Sequence, residues 1–260
     1  MGMFRYKLIL ILLCASLASR GQSPMSYLLL NKSVINPIIW LDASNSSSYS
    51  GSGTTWYDLT SSAANGTLTG SPTFNSTAPK NFSFNGTNQY VNISNRMALN
   101  YNGDITISCW VNLASLPSSG AVFYTISDIG NSGGAENYLR IKYVSGSDIE
   151  LQFGIYVPSN DYLVQSNIFS LLSTNTWYNI VGTVKSGVWS TYFNGSFVAS
   201  NSTTNGYAIG TSSYASIMAY NSGASRYFNG KLSQIQYYNT ALTSAKVLAN
   251  FNSQKTYYGY

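Results

Sequence analysis

The sequence has no histidine, and only two of its 260 residues are cysteine. Ser-His-Asp and Cys-His nucleophilic mechanisms need histidine, and the usual zinc sites need histidine or several cysteines, so these chemistries are excluded. The two cysteines are Cys14 and Cys109. If the segment that contains Cys14 is removed, Cys109 has no partner for an intramolecular disulfide, and the core alone must stabilise the fold.

Charged residues are also scarce. They make up 8% of the chain, against about 25% in ordinary globular proteins. The formal net charge is +5, but Arg5 and Lys7 lie near the N-terminus and the other basic residues are scattered singly. Because nucleic-acid binding normally needs a clustered basic face, we expect no nucleic-acid partner.

Aromatic residues are abundant, at 15% of the chain, and 22 residues are tyrosine. This content argues against disorder. Tyrosine and the β-branched threonine fit the pleated, half-buried surface of a strand, so the composition favours an all-β protein. Since β-sandwiches of about 200–250 residues commonly form one domain, we expect a single domain over residues 37–260.

The N-terminus has the layout of a secretory signal. A short basic stretch is followed by an apolar run that ends in the small residues Ser16 and Ala18, which is the spacing of cleavage before Ser19. We interpret residues 1–19 as a signal peptide or, if uncleaved, as an N-terminal hydrophobic anchor and the protein's contact with a membrane. Residues 20–36 are a linker or an edge strand. A cleaved signal predicts a secreted protein.

The clearest strand pattern lies in residues 104–113. Alternate residues are apolar, which predicts a strand with one face in the core. The predicted core face carries Ile105, Ile107, Cys109, Val111 and Leu113, and the opposite face carries Thr106, Ser108, Trp110 and Asn112. We therefore expect Cys109 to be a buried, inert thiol. Trp110 is either covered by another element or faces a ligand.

Further strands are predicted along the rest of the chain. Residues 149–155 repeat the alternation, with Glu150 and Tyr156 on the polar face. Asn194-Gly195 is typical of a tight hairpin turn because both residues tolerate a positive φ. The other predicted strands lie near 82–85, 89–94, 121–127, 138–144, 177–185, 188–194, 196–200 and 215–220.

Two irregular features are predicted near the C-terminus. The phase of the alternation slips within residues 227–238, which indicates a β-bulge near Ser233-Gln234. One short helix follows, with Thr243-Ser244 as its cap. Its apolar side chains, at helical spacing, are Val247, Leu248 and Phe251.

An ordered series of short motifs resembles laminin-G-like domains. No single motif is specific, but together they span residues 38–252 in the expected order. The motifs are WLDAS at 40–44, TWYDL at 55–59, NGTL at 65–68, FNGTNQYV at 84–91, TISCWV at 106–111, TWYNIVGT at 176–183, YFNG at 192–195 and FNGKLSQIQYYNTAL at 228–242. The chain is thus similar to the laminin-G or pentraxin-like branch of the concanavalin A-like lectin and glucanase superfamily.

This resemblance implies an all-β fold, a two-sheet antiparallel jelly-roll sandwich with one short C-terminal helix. It implies a non-catalytic, lectin-like module that binds a glycan or a glycosylated surface outside the cell or on a particle. The alternative is a structural or decorating protein of a virus particle that contacts other virion proteins. Since a fold alone does not fix function, both remain expectations.

The acidic residues do not form the signature of a glycosidase. Glycosidases need two carboxylates that flank the scissile bond, and related enzymes carry them as Glu-x-Asp-x-x-Glu on one strand. Here Asp148 and Glu150 are the closest acids in a strand, and position 153 is Phe. We therefore expect that the protein is not an enzyme and has no catalytic residue.

Calcium is the common ion of the resembled family. It binds six to eight oxygens, with carboxylates giving most of the affinity. This sequence has Asn85, Asn88 and Gln89 where relatives often carry acids. Asp58 could hold a weakly bound calcium, but we favour a role in capping a turn. We expect no tightly bound metal or other cofactor.

Sugar sites normally pair an aromatic face with amides or charged groups in loops. Tyr138, Tyr156, Asp161 and Arg226 lie near predicted strand ends, as do Tyr162 beside Asp161 and Tyr220 near Arg226. The first four are the candidate ligand-binding residues. Most of the other tyrosines are expected to pack in the sheets.

Overall fold

The computed structural model describes residues 35–95, 99, 103–131, 133–158, 160–203 and 212–260. The predicted signal or anchor lies outside the described residues, as does the predicted linker apart from Ile35 and Asn36. Residues Pro37–Tyr260 form one compact unit. In the part of the chain that the structure describes, no helix is long and apolar enough to cross a membrane.

The described residues form sixteen strands and one α-helix, α1, which spans Ser244–Gln254. The strands are β1 (Ile39–Asp42), β2 (Thr55–Trp56), β3 (Gly66–Thr69), β4 (Thr73–Asn75), β5 (Asn81–Asn85), β6 (Tyr90–Ile93), β7 (Ile105–Leu113), β8 (Phe123–Asn131), β9 (Glu136–Ser145), β10 (Asp148–Val157), β11 (Asn160–Asn167), β12 (Trp177–Lys185), β13 (Val188–Phe193), β14 (Ser196–Ser202), β15 (Ser212–Ile217) and β16 (Asn229–Tyr238).

The strands form two eight-stranded antiparallel sheets. The first sheet has the order β14-β13-β12-β7-β16-β5-β4, with β1 paired to β16. The second sheet has the order β11-β10-β9-β8-β15-β6-β3-β2. Together with the single α-helix, this arrangement confirms the predicted all-β sandwich of the concanavalin A-like type.

Strand β7 lies at the centre of the first sheet and is buried along its whole length. Cys109 is 1% exposed and belongs to the core between the sheets. It is paired with Ile180 of β12 and Ile235 of β16. The predicted core face of β7 is therefore confirmed, and burial raises the pKa of the Cys109 thiol far above its ordinary value.

The opposite face of β7 is covered by the C-terminal segment. The Trp110 ring stacks on Tyr258 at 3.8 Å between centroids and on Phe251 at 5.7 Å. Its indole Nε1 donates a 2.6 Å hydrogen bond to Oε1 of Gln254. Trp110 is therefore covered by an element of the chain and does not face a ligand.

Helix α1 begins where the sequence predicts. The Thr243 side chain accepts a hydrogen bond from the backbone N–H of Lys246, which satisfies one of the free donors at the helix start. Val247 and Phe251 are buried, but Leu248 is 45% exposed. Of the three apolar side chains at helical spacing, Val247 and Phe251 therefore pack on the sheet and Leu248 faces outward.

The predicted turn and bulge are both present. Asn194 and Gly195 have φ values of 50° and 76° and join β13 to β14. A Cβ at Gly195 would lie 2.9 Å from Cβ of Phe251, so the glycine is also needed for helix packing. The register between β16 and β7 shifts between Leu232 and Gln234, as expected for a bulge.

Strand β11 was not predicted. Its sequence, NDYLVQSN, has two apolar aliphatic residues, Leu163 and Val164, and they are adjacent. It is the edge strand of the second sheet and pairs only with β10. These backbone hydrogen bonds stabilise it, although its side chains do not alternate between apolar and polar.

We predict that Cys109→Ala lowers the free energy of unfolding by about 1–2 kcal/mol through lost packing. Denaturant unfolding of the variant and the parent measures this difference. In a Cys14→Ser background, the native thiol should react slowly with a thiol reagent and rapidly after unfolding. Fast reaction of the folded protein would contradict burial of this face of β7.

The cover over Trp110 is tested by Tyr258→Ala. We expect this change to lower the free energy of unfolding by about 3 kcal/mol, since it removes a buried ring and the hydrogen bond to Ser233. Tyr257→Ala is the matched control, because Tyr257 is the next residue and is 39% exposed. Equal losses in the two variants would contradict the stacking role.

Candidate ligand-binding site

The outer face of the second sheet gathers many of the charged residues of this sparsely charged chain. Along β9, Leu139 and Ile141 point into the core. Alternation therefore places Glu136, Tyr138, Arg140 and Lys142 on the outer face. The sequence of β9 thus supplies three charges and an aromatic ring to one surface.

One part of this surface is a closed cluster of Tyr138, Arg140 and Asp161. The Tyr138 hydroxyl donates to Asp161 Oδ1, and Arg140 Nη2 lies 3.7 Å from Asp161 Oδ2. The guanidinium of Arg140 lies 3.7 Å from the Tyr138 ring centroid, and its Nε donates to Gln152 Oε1 at 2.8 Å. Burial lowers the pKa of Arg140 and raises that of Tyr138.

A second part surrounds Arg226, which lies in the loop between β15 and β16. Its guanidinium lies 4.7 Å from the centroid of Phe123 and 4.2 Å from that of Tyr220. Nη1 of Arg226 is 3.9 Å from Oε1 of Glu136. The Arg226 side chain is 31% exposed, whereas that of Arg140 is 8% exposed. Arg226 is therefore the more accessible of these two arginines.

Asp128 lies beneath this loop and is completely buried. Its Oδ2 accepts a 2.7 Å hydrogen bond from the backbone N–H of Asn221. Burial, together with the nearby charge of Glu136, raises the pKa of Asp128 to about 8, although the Asn221 N–H and the two arginines oppose the rise. Burial also raises the pKa of Glu136. Asp128 is thus largely protonated at neutral pH.

The loop that carries Arg226 has a strained backbone. Met218, Asn221, Ser222 and Arg226 all have a positive φ, between 44° and 68°. Such values are uncommon for residues other than glycine and cluster at functional sites. The conformation is held by the bond from Asn221 to Asp128 and by one from the Thr125 N–H to the Arg226 carbonyl at 3.1 Å.

Among the surface grooves formed by the described residues are two of about 360 Å³ each. The loop groove is lined by Gly86 and by residues 120–123 and 224–227, so Phe123 and Arg226 both contribute to it. The helix groove is lined by residues 241–244 and by side chains of β12 and β13. Of these two grooves, the loop groove is the one that adjoins the arginine and carboxylate cluster.

The sequence model of the Laminin_G_3 family, of the concanavalin A-like lectin/glucanases superfamily, matches residues 85–248. This match covers more than half of the chain. The chain belongs to this family. No curated protein shows significant sequence similarity to it.

Solved structures share the fold of this laminin-G-like domain. The binding domain of Paraclostridial Mosquitocidal Protein 1 has a TM-score of 0.64 at 18% identity, over 86% of this chain and 55% of that chain. The botulinum neurotoxin serotype G binding domain has a TM-score of 0.62 at 16% identity, over 85% and 52%. A Trypanosoma rangeli sialidase has a TM-score of 0.58 at 18% identity, over 84% and 33%. The chain thus spans from a third to about half of the length of these structures.

The structure brings the four sequence-predicted ligand residues of the laminin-G-like domain to one region. Tyr156 is paired with Glu136 on one side and Asp161 on the other, and its side chain is 37% exposed. Tyr138 is 2% exposed and its hydroxyl is bound to Asp161, so it positions Asp161. Arg226 lies on the groove itself.

Sequence reasoning missed Phe123, Glu136 and Arg140 of this region, although it named Tyr220 together with Arg226. Phe123 and Tyr220 lie at or beyond the ends of β8 and β15. No local pattern in the sequence could have found them, since the structure alone brings both described arginines and three of the eight acidic residues into this cluster. In a chain with 8% charged residues, such a concentration is a functional signal.

Asp58 has the turn-capping role that we favoured. Its Oδ1 accepts the backbone N–H groups of Trp40 and Thr60 at 2.9 and 3.0 Å. Its Oδ2 accepts Thr60 Oγ1, Ser62 Oγ and the Ala64 N–H, between 2.5 and 3.0 Å. Burial raises the pKa of Asp58, but these hydrogen bonds outweigh burial and lower it overall.

The carboxylates of β10 are not placed for glycoside hydrolysis. Phe153 lies in the core, so the third position of the glycosidase signature points away from the surface. Glu150 Oε2 accepts a hydrogen bond from Gln152. Asp128, the buried carboxyl with the strongly raised pKa, has no exposed surface through which it could meet a substrate.

We predict that stability falls as the pH rises from about 5 to about 8. Folding raises the pKa of Asp128 from 3.8 to about 8, so the folded domain binds more protons than the unfolded chain in this window and loses stability on deprotonation. Glu136 acts in the same direction, and Asp58 acts at lower pH. The free energy of unfolding should fall by more than about 1 kcal/mol over this window, since a difference of one unit between the folded and unfolded pKa is worth about 1.4 kcal/mol.

Denaturant unfolding of the parent and of Asp128→Asn, measured across this pH range, tests the assignment. The asparagine stays neutral and keeps an oxygen that can accept the Asn221 N–H. Its stability should therefore be nearly independent of pH once the smaller contribution of Glu136 is allowed for. Parallel pH curves for the two proteins would show that Asp128 is not the titrating group.

Proposed function

We propose that the protein is a non-catalytic glycan-binding domain whose ligand occupies the loop groove. The observation that carries this proposal is the accessible guanidinium of Arg226, which lines the groove beside Phe123 and lies against the rings of Phe123 and Tyr220. Aromatic faces and a few placed polar groups are the usual components of a small-ligand site. A terminal sugar would pack on the ring of Phe123 and donate hydroxyl hydrogen bonds to backbone carbonyls of the groove.

The family and the solved structures support binding as the role. Two of the structures that share the fold carry the words "binding domain" in their names. Because they are less than 20% identical to this chain, they support the fold directly and the function by analogy alone. The burial of Asp128 and the core position of Phe153 favour recognition over hydrolysis.

We further propose that the domain acts outside the cell, on a secreted protein or a particle. This rests on the signal-like composition of residues 1–19. A role in contacting virion proteins would use the same exposed setting. It would be favoured if no glycan binds and the protein is found in purified virus particles.

We predict that Ala224→Trp abolishes glycan binding. Ala224 is exposed and lines the loop groove, so the new ring fills the space that the ligand needs. Val188→Trp is the matched control, because Val188 is exposed and lines the helix groove of the same volume. A glycan array with the three proteins measures both effects. Loss of binding with Val188→Trp alone would move the site to the helix groove.

We also predict that this binding does not depend on calcium. In the loop beside the groove, Asn85 Nδ2 donates to Asn88 Oδ1 at 2.8 Å and the Asn85 N–H to Gln89 Oε1 at 2.9 Å. These amides supply oxygens to the protein's own donors, and amides bind calcium more weakly than carboxylates do. Titration of the protein with a glycan that it binds should give the same affinity in the presence and in the absence of EDTA. A loss of affinity that calcium restores would contradict this prediction.

A further inference from the structure

The guanidinium of Arg226 is oriented chiefly by aromatic rings. Its central carbon lies 4.7 Å from the Phe123 centroid and 4.2 Å from the Tyr220 centroid. Contacts with the face of a ring restrain a planar guanidinium but leave its N–H donors, which lie in the plane, available. Little further entropy is then lost when a ligand binds the group.

The protein's own counter-ion uses little of this donor capacity. The separation of 3.9 Å between Arg226 Nη1 and Glu136 Oε1 exceeds the length of a hydrogen bond. Glu136 is also bound by Tyr214, whose hydroxyl lies 3.4 Å from Oε2, and by Tyr220. Glu136 therefore balances the charge of Arg226 without saturating its N–H groups.

Two further cations lie around the same phenylalanine. Arg140 is 4.7 Å and Lys142 Nζ is 5.9 Å from the Phe123 centroid. Arg140 is committed to Gln152 and Asp161, and so supplies charge but few free donors. Arg226, Arg140 and Lys142 therefore surround the ring of Phe123, which lines the groove. Positive charge is thus concentrated near this wall of the groove.

We propose that the ligand of the loop groove is an acidic saccharide whose carboxylate binds Arg226 through two parallel hydrogen bonds. This inference rests on the glycan-binding function proposed above and specifies its ligand class. The planar fork of a guanidinium matches the two oxygens of a carboxylate. The sugar ring then lies in the groove between Phe123 and residues 224–227.

The probes are an oligosaccharide that contains glucuronic acid, its carboxyl-reduced neutral counterpart, and a sulfated oligosaccharide of the same backbone. Isothermal titration of the full chain should show binding of the first and none of the second. Weaker binding of the sulfated form is expected, since sulfate lacks the planar geometry. Equal affinity for the acidic and neutral forms would overturn the inference.

Arg226→Gln should weaken binding of the acidic saccharide by at least about tenfold, as expected for loss of a charge-assisted pair. Arg226→Lys keeps the charge but not the fork, so it should bind less tightly than the parent and more tightly than Arg226→Gln. Lys231→Gln is the control for net charge, because Lys231 lies on β16 of the first sheet. Equal weakening by Lys231→Gln would indicate a non-specific charge effect and overturn the inference.

Glu136→Gln gives a test that structural damage cannot imitate. It removes the competing carboxylate, while the rings of Phe123 and Tyr220 still hold the guanidinium, so affinity for the acidic saccharide should rise by about threefold or more. A fall in affinity would contradict the geometry. A third outcome separates the two proposals: neutral saccharides bind, Ala224→Trp blocks this binding, and Arg226→Gln leaves it unchanged. In that case the glycan-binding function stands and the acidic ligand is wrong. If no saccharide binds, both proposals fail.

Discussion

Strand β7 must bury both of its faces, and the rest of the molecule is arranged around that requirement. Its Cys109 face closes the core between the two sheets, and its Trp110 face lies beneath α1 and the C-terminal tyrosines. A tryptophan of this size left open to water would lose a few kcal/mol of apolar burial. Because the C-terminal segment covers the middle of the first sheet, the outer face of the second sheet carries the candidate site.

The outer face of the second sheet contains ionisable side chains that are partly or fully buried. Isolated buried charges are strongly unfavourable, and here each is compensated differently. Arg140 is paired with Asp161 and bonded to Gln152, Asp128 favours its neutral form, and Arg226 is supported by aromatic rings. Arg226 is the member of this set whose pairing is loosest. It is therefore the group with the most to gain from a ligand.

The strained loop between β15 and β16 contacts the buried Asp128 and also carries the partly exposed Arg226. Asn221 bonds to Asp128 below, while Arg226 lies at the groove above. Four residues of one loop with a positive φ raise the energy of the folded state by about 1–3 kcal/mol each. The packing around Asp128 must offset that energy. The loop that carries Arg226 is thus anchored to Asp128 by the backbone N–H of Asn221.

Local patterns in the sequence were sufficient for the elements with strong alternation or turn chemistry. The core faces of β7 and β10, the Asn194-Gly195 turn and the Thr243 cap all follow from side-chain period or backbone preference. Strand β11 could not be found in this way, because its sequence has no alternation of apolar and polar residues and the strand is stabilised by its backbone pairing with β10. The exposure of Leu248 also depends on the shape of the surface beneath the helix, which no local pattern contains.

The sequence by itself determined the all-β class, the burial of Cys109, the family resemblance and the exclusion of histidine chemistry, because these depend on residue identity and on period along the chain. Only the tertiary structure decided which charges meet. Asp128, Glu136, Asp161 and Arg226 lie on β8, β9, β11 and a distant loop. They become neighbours through cross-strand register and strand order, for example the pairing of β8 with β15, in which Asn131 is paired with Ser212 and Ser127 with Ile217. A shift of one residue in that register would turn each outward side chain into the core.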